Sequence, residues 1–165
     1  MLFNSYTFIF FFLPITLSLV FISARIGQHR IALTILILSS LFFYGWWNPF
    51  YLPLIIISVL FNFLLGRAIY KNRILLFFGL TFNLGLIAYF KYANFFVDNL
   101  NLVLQSNIYL QQIFLPLAIS FFTFQQIAYL IDSYRGNSEK YHFLHYCLFV
   151  TFFPQLIAGP IVHHK

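Results

Sequence analysis

The chain has 165 residues, of which 62% are hydrophobic and only 7% are charged, with 25 phenylalanines and 11 tyrosines. Because an ordinary soluble domain is about 25% charged, this composition excludes a soluble globular protein and favours one whose solvent is the lipid bilayer. The net charge of +6 does not indicate nucleic-acid binding, since the basic residues lie in short gaps between apolar runs. The single cysteine excludes an internal disulfide framework. The predicted fold is all-α, a polytopic bundle of membrane helices.

Six apolar runs are candidates for helices that span or re-enter the membrane, because a span needs roughly 17–25 mostly apolar residues. In chain order they are Tyr6–Ala24, Ile31–Trp47, Phe50–Leu65, Ile74–Phe90, Ile113–Ile131 and Phe143–Ile161. The first is predicted to be a retained span, since no basic region precedes it and no small-residue cleavage site follows it. Asn48 and Pro49 predict a tight turn between the second and third runs. The third run is short and the last contains proline and glycine, so these two are the candidates for incomplete crossing.

The segment between Lys91 and Gln112 mixes asparagine and glutamine with apolar residues. Its apolar side chains Phe96, Leu100, Val103 and Leu104 fall on one helical face. This pattern predicts a helix that lies in the membrane interface rather than crossing the bilayer. The alternative is a plain polar loop.

The basic residues predict the orientation of the chain, because cytoplasmic loops are rich in lysine and arginine. With the N-terminus outside, seven basic residues lie on the inner side: Arg25, Arg30, Arg67, Lys71, Arg73, Arg135 and Lys140. Only Lys91 and Lys165 then lie outside. The pattern therefore predicts a multi-pass protein with its N-terminus outside. The prolines and the glycine of the last run predict that it could break and re-enter.

Two adjacent glutamines, Gln125 and Gln126, lie inside the otherwise apolar fifth run. Each buries an amide in hydrocarbon at a cost of roughly several kcal/mol unless a partner hydrogen-bonds it. One interpretation is a hydrogen bond that holds two helices together, and the other is the lining of a polar passage. Adjacent residues point about 100° apart on a helix, so the two amides cannot easily share one partner.

The other polar side chains give weaker indications of function. Asp132 and Arg135 are three residues apart and could pair on one helical face, although a solvated pair of small energetic weight is favoured. His142 and His145 also share a face, but no acidic or cysteine ligand accompanies them, so no metal site is predicted. Cys147 has no neighbouring base to activate it as a nucleophile, which favours a small apolar filler in a span.

Four stretches carry a resemblance to a known family: "MLFNSYTFIFFFLPITLSLVF", "SLFFYGWWNPFYLPLIIIS", "LPLAISFFTFQQIAYLIDSYRG" and "FFPQLIAGPIVHHK". Together they resemble the membrane-bound O-acyltransferase subunit of bacterial alginate acetylation, and they are also similar to the protein that exports D-alanyl groups to teichoic acid. The resemblance implies that residues 1–165 are the N-terminal transmembrane part, roughly the first third, of a longer bacterial inner-membrane enzyme without a soluble domain here. That enzyme would transfer acetyl groups to hydroxyls of an exported polysaccharide such as alginate.

The resemblance also implies which parts of the catalytic site this chain holds and which it lacks. The family's catalytic histidine lies in a later segment, so His163 and His164 are not assigned as catalysts and this chain alone is predicted to be inactive. Acetyl-CoA, or an acyl donor derived from it, would serve as the donor without a bound cofactor, and other acetylation proteins would act on the outer side. Gln125, Gln126 and Gln155 suit a protein-lined passage for the acyl group. The alternatives are a non-enzymatic transporter subunit or scaffold, which often carries broken helices and polar groups at the midplane, and an inactive relic of the enzyme.

Overall fold

The computed structural model of the chain describes residues 5–104, 113–136 and 142–158, with side chains up to Gln155 in the last range. These ranges contain helices and connecting turns but no strand, which confirms the predicted all-α bundle. The α-helices are α1 (Leu13–Arg25), α2 (His29–Trp47), α3 (Leu52–Ala68), α4 (Arg73–Ile87), α5 (Ala93–Leu104), α6 (Ile119–Tyr134), α7 (Phe143–Thr151) and α8 (Phe153–Ala158).

The first four predicted spans are present as long apolar helices. Within the described ranges, the stretches of sufficient length and hydropathy to cross a membrane are Phe8–Arg25, His29–Trp47, Pro49–Ala68 and Arg73–Leu104. The first includes a π-helical stretch, Phe8–Phe12, that leads into α1. The third includes a 3-10 turn, Pro49–Tyr51, that leads into α3, so this helix is longer at both ends than the predicted run Phe50–Leu65.

Asparagine side chains start two of these helices, since an asparagine oxygen can accept hydrogen bonds from the free N–H groups of a first turn. The Asn48 side chain accepts from the backbone N–H of Phe50 at 3.0 Å, which forms the predicted turn after α2. Asn72 accepts from Ile74 at 3.1 Å and Leu75 at 3.2 Å at the start of α4. The connections between α2, α3 and α4 are therefore short, and successive helices run antiparallel.

The predicted helix after Lys91 is present over Ala93–Leu104, but it continues α4 instead of forming a separate element. A π-helical stretch, Ala88–Tyr92, joins the two. No glycine or proline lies between Leu86 and Leu104, so nothing in the sequence ends the helix. The 32 residues span about 48 Å, against about 30 Å of hydrocarbon. One end of Arg73–Leu104 therefore extends well past the membrane core, and an interfacial position for α5 stays a prediction.

The fifth and sixth predicted segments are shorter helices than the sequence pattern indicates. Residues 113–118 are not helical, and α6 begins only after Ala118, which takes a left-handed φ of 56°. The last run divides at Phe152, whose ψ is 110°, into α7 and α8. Pro154 explains this break, because its ring would clash with the carbonyl four residues earlier in a continuous helix. Residues 159–161 of that run lie outside the described ranges.

Helix α6 is the centre of the bundle. It packs against α3, α4 and α7 and buries a wide arc of its surface. Its buried residues are Ile119, Phe122, Thr123, Gln125, Gln126, Tyr129, Leu130 and Ser133. Half of this arc is polar, which places hydrogen-bonding groups deep inside an otherwise apolar assembly.

Candidate functional site

A buried cluster of neutral polar side chains joins α3, α4 and α6. The Ser58 hydroxyl donates a hydrogen bond to the Gln126 Oε1 atom at 2.7 Å. The Asn62 Nδ2 atom donates to the same oxygen at 2.9 Å. These three side chains are 0–1% exposed, so the Gln126 carbonyl is fully removed from solvent and lipid.

Asn62 and Asn83 extend the cluster to α4 as a reciprocal amide pair. The Asn83 Nδ2 atom donates to Asn62 Oδ1 at 2.6 Å, and the Asn62 Nδ2 atom donates to Asn83 Oδ1 at 3.3 Å. Each amide nitrogen also donates to the carbonyl four residues earlier in its own helix, Ser58 at 2.9 Å and Gly79 at 2.8 Å. The two N–H groups of Asn62 are thus shared among three acceptors. The amide pair and Gln126 fix the register of three helices relative to one another. We name Ser58, Asn62, Asn83 and Gln126 the amide cluster.

Several buried polar atoms near this cluster have no hydrogen-bond partner within the described ranges. On α6 they are Gln126 Nε2, Gln125 Oε1, Thr123 Oγ1 and, nearer the end of the helix, Ser133 Oγ. Leaving a buried donor or acceptor unpaired costs about 1–3 kcal/mol. These atoms are therefore the places where a ligand, water or another segment would form hydrogen bonds. None of the amide-cluster groups titrates, so the cluster can bind and orient but cannot act as a general base.

Aromatic rings form a layer beside the amide cluster, where α3, α6 and α7 meet. The rings of Tyr129 and Tyr146 lie 4.2 Å apart between centroids, and Phe63 lies 5.5 Å from Tyr146. Gly66 allows this approach, since a Cβ atom there would lie 2.7 Å from the Tyr129 hydroxyl oxygen and closer still to the ring. The Tyr146 hydroxyl is buried without a hydrogen-bond partner among the described residues.

The two adjacent glutamines have different surroundings, as the angle between neighbouring positions predicts. Gln126 makes interhelical hydrogen bonds, as predicted by the interpretation that these glutamines hold helices together. The Gln125 carbonyl oxygen is buried without a described partner. Gln155 lies on α8, half-buried, with its backbone N–H bonded to the Phe152 carbonyl at 3.0 Å. The three glutamines therefore do not form one cluster. Their role in lining a passage stays a prediction.

The remaining candidates are distributed over other parts of the chain. Asp132 is half-buried and Arg135 exposed, and no ion pair joins these two described residues. The rings of His142 and His145 contact each other at 6.0 Å, and within the described ranges no three His, Cys, Asp or Glu side chains come together. Cys147 is buried in the apolar core. His163 and His164 lie outside the described residues.

Ser58, Asn62 and Asn83 are members of the cluster that the sequence pattern did not identify. A usable signal was present, because each asparagine is an isolated amide inside a run that is otherwise apolar. An amide at such a position needs a partner in hydrocarbon. The fifth run also carries amides, at Gln125 and Gln126. Hydrogen bonds between the asparagines of the third and fourth runs and the glutamines of the fifth could therefore have been predicted.

Comparison with known proteins shows that the chain is similar to bacterial proteins named for O-acetylation. Over all of its length it is 42% identical to a peptidoglycan O-acetyltransferase of Helicobacter pylori, covering 37% of that protein. It is 38% identical over its full length to the probable alginate O-acetylases AlgI of Pseudomonas aeruginosa and Pseudomonas putida, covering 33% and 36% of them. No protein-family profile matches the chain, and no solved structure matches it significantly.

The chain spans about a third of the length of the curated relatives it matches. The match nevertheless extends over the whole chain. The chain is therefore homologous, over the third of their length that it matches, to these O-acetyltransferases, which confirms its resemblance to the polysaccharide-acetylating branch of the membrane-bound O-acyltransferase family.

Proposed function

We propose that this chain is the N-terminal membrane part of an O-acetyltransferase that acts on hydroxyls of a cell-envelope or exported polysaccharide in the bacterial inner membrane. The observation that carries the proposal is identity of 42% and 38%, over the full chain, to proteins named for O-acetylation of peptidoglycan and alginate. Those two names differ in the polymer, so the substrate class proposed here is a glycan hydroxyl, with peptidoglycan and an alginate-like polymer as the two substrates to test.

The proposed reaction transfers an acetyl group from acetyl-CoA, or a donor derived from it, to the glycan. A sugar hydroxyl attacks the acetyl carbonyl, a histidine base takes the hydroxyl proton, an ester C–O bond forms, and the donor's thiol leaves as its C–S bond breaks. The base would come from a segment outside these 165 residues, as the resemblance implies. Partner proteins on the outer side would carry the product onward.

The proposed role of this chain is to form one side of the passage through which the acyl group crosses the membrane. The amide cluster fixes α3, α4 and α6, and it leaves the Gln126 Nε2 donor and the Gln125 Oε1 acceptor on a buried face of α6. We assign these two side chains, with Gln155 on α8, as polar contacts of that route. Neutral amides suit this task, because they can hydrogen-bond a carbonyl without placing a charge in hydrocarbon.

The orientation proposed has the basic end of the bundle in the cytoplasm. The backbone N–H of Lys71, in the turn after α3, bonds to the carbonyl of Tyr134 at the end of α6 at 3.3 Å. This contact puts Arg67, Arg73 and Arg135 at one end of the molecule. The same end holds the turn between α1 and α2, since successive helices run antiparallel. A cytoplasmic position of this end follows from the positive-inside rule.

The test is the acetate content of the polymers in a strain from which the gene for this protein is deleted. Ester-bound acetate is released by mild alkali and measured separately for peptidoglycan and for exported polysaccharide. We expect one polymer to lose its acetate and to regain it on complementation, which identifies the substrate. Unchanged acetate in both polymers would contradict the proposal and favour a non-enzymatic role.

A second measurement tests whether this chain can transfer acetyl groups without the segment that supplies the histidine base. The purified 165-residue chain, in lipid nanodiscs with acetyl-CoA and the identified glycan, is expected to give no transfer above the uncatalysed background. Robust transfer would show that a base within this chain suffices.

A further inference from the structure

Two segments that are far apart in the sequence meet at the basic end of the bundle. One is the turn after α3, which contains Lys71, and the other is the end of α6. The Lys71 backbone N–H bonds to the Tyr134 carbonyl at 3.3 Å, which places the backbones of Lys71 and Arg135 within about 7 Å of each other. Arg67 ends α3 and Arg73 begins α4 on either side of the turn. Four exposed cations therefore surround this contact, and we call this set the basic cluster: Arg67, Lys71, Arg73 and Arg135.

The contact between the two segments is closely packed. A Cβ atom at Gly136 would lie 2.9 Å from Cε2 of the Tyr70 ring, and Gly136 has a φ of 93° that favours glycine. The Nζ atom of Lys71 lies 5.1 Å from the centre of the same ring. The basic cluster thus has a fixed backbone framework, and its charges are held together at one place.

The backbone of Lys71 is in the left-handed region, with a φ of 52°. Glycine takes this conformation without steric cost, whereas a residue with a long side chain rarely does. Residues held in such conformations cluster at functional sites, because the surrounding structure has to maintain the strain. The backbone therefore does not explain why a lysine stands here, and a use for its charge does.

The acidic side chains of the described ranges do not neutralise the basic cluster. They are Asp98 and Asp132. Asp98 lies on the continuous helix that begins at Arg73, about 37 Å further along it. Asp132 is half-buried on α6, and within the described ranges no ion pair joins it to Arg135. The four positive charges face at most one described negative charge, so an anionic ligand would complete the site.

We propose that the basic cluster binds the phosphate groups of a ligand at the cytoplasmic end of the bundle. An arginine presents a planar fork of N–H donors that matches phosphate oxygens, and a lysine adds a compact charge. A terminal phosphate carries close to two negative charges, more than a carboxylate, which suits a site with several cations. The N–H groups of Ile74 and Leu75 are already bonded to Asn72, so the side-chain charges and not the end of α4 form the site.

Two sources of phosphate reach this end of the bundle: the nucleotide part of acetyl-CoA and the headgroup of an anionic lipid. The first source rests on the proposed function. Phosphates cannot enter hydrocarbon at an acceptable cost, so such a donor would keep them at the membrane surface and extend its uncharged acetyl end inward. Gln126 lies eight residues before Tyr134 on α6, about 12 Å along the helix. The basic cluster therefore lies where a donor would enter the passage.

The experiment measures binding of acetyl-CoA to the protein in nanodiscs of zwitterionic phosphatidylcholine, by isothermal titration calorimetry. Acetyl-pantetheine, which has the same acetyl thioester but no phosphate, is the comparison ligand. We expect acetyl-CoA to bind more weakly as the salt concentration rises, since exposed charges are screened. Acetyl-pantetheine is expected to bind about tenfold more weakly than acetyl-CoA or less, because it makes no charged hydrogen bonds to the cluster.

Lys71→Gly separates the charge of the site from the stability of the fold. It removes the ammonium and the left-handed strain together, so we expect a thermal stability equal to or above that of the parent and an affinity for acetyl-CoA about tenfold lower. Arg135→Gln is expected to lower the affinity to a similar degree. Arg30→Gln is the matched control, since Arg30 is an exposed arginine in the first turn of α2 and outside the cluster. It should leave the affinity unchanged.

A second set of nanodiscs contains phosphatidylglycerol, and the lipid retained by the protein is counted by native mass spectrometry. Retention that is lost in Lys71→Gly and Arg135→Gln, without binding of acetyl-CoA, would support the phosphate site and identify a lipid headgroup as its ligand. Binding of neither ligand, binding that the cluster variants leave unchanged, or an equal loss in Arg30→Gln would overturn the proposal. The acetate content of the polymers is measured separately, so failure of either proposal leaves the other standing.

Discussion

Gln126 is the side chain through which α6 is hydrogen-bonded to α3, and Asn62 of α3 is in turn bonded to Asn83 of α4. Its surroundings show how far sequence reasoning reaches for a single residue. A glutamine in an apolar span requires a hydrogen-bond partner, so an interhelical bond was predictable from position alone. The partners Ser58 and Asn62 were not, because a sequence shows which spans carry amides but not which spans are neighbours. For the same reason, the sequence predicts that the two adjacent glutamines point in different directions, but it does not show which of the two joins the cluster.

Replacing Gln126 with leucine is expected to destabilise the protein by about 1–3 kcal/mol, since it leaves the buried Ser58 hydroxyl without its acceptor and removes one of the three acceptors of the Asn62 amide. The measurement is the free energy of unfolding in a denaturing-detergent titration. Gln125→Leu is the matched control, because its carbonyl oxygen is buried without a described partner. We expect that variant to be neutral or slightly more stable. Equal losses in the two variants would contradict a structural role for the amide cluster.

Helix pairs in this bundle depend on glycines where the backbone of one helix meets a side chain of another closely, as at Gly66 and Gly79. Such packing is common in membranes, where no hydrophobic force distinguishes helix from lipid. The existence of the first four helices was predictable from hydropathy and length. The long continuation of α4 into α5 was not, because amphipathic residues after Lys91 suit an interfacial helix equally well. The division of the last run at Phe152 was foreseeable from Pro154.

Gly66→Ala is expected to weaken the contact between α3 and α6. The added Cβ would lie 2.7 Å from the Tyr129 hydroxyl oxygen and closer to its ring, and overpacking of this kind costs about 1–3 kcal/mol. Gly85→Ala is the matched control on α4, since a Cβ there meets nothing within 4 Å, and it is expected to be neutral or to stabilise by up to about 1 kcal/mol through the better helix propensity of alanine. The same unfolding titration compares the two.

A double variant identifies the cause of any loss at Gly66. In a Tyr129→Leu background the ring is absent, so Gly66→Ala should cost clearly less than in the parent protein. An undiminished cost would place the strain elsewhere and refute the assignment of Gly66 as the glycine that accommodates Tyr129.

The arrangement of charge concerns the molecule as a whole, and here the sequence and the fold agree. The bond between Lys71 and Tyr134 brings the turn after α3 to the end of α6, so that the basic residues of both meet at one end. The tryptophans before Asn48 lie at the other end. The sequence predicts this separation because the basic residues alternate with the spans in order. The fold adds that they converge in space, which strengthens their attraction to an anionic membrane surface.

This separation predicts which turns a membrane-impermeant thiol reagent can reach. Single cysteines are placed at Gln28, in the turn after α1, and at Phe50, which is 87% exposed in the turn after α2, in a chain carrying Cys147→Ala. With the basic end in the cytoplasm, we expect Phe50→Cys to be labelled in intact cells and Gln28→Cys only after the inner membrane is permeabilised. The Cys147→Ala chain without added cysteine gives the background. The inverse pattern would place the basic end outside, contradict the positive-inside assignment and move the proposed donor side of the enzyme to the opposite end of the bundle.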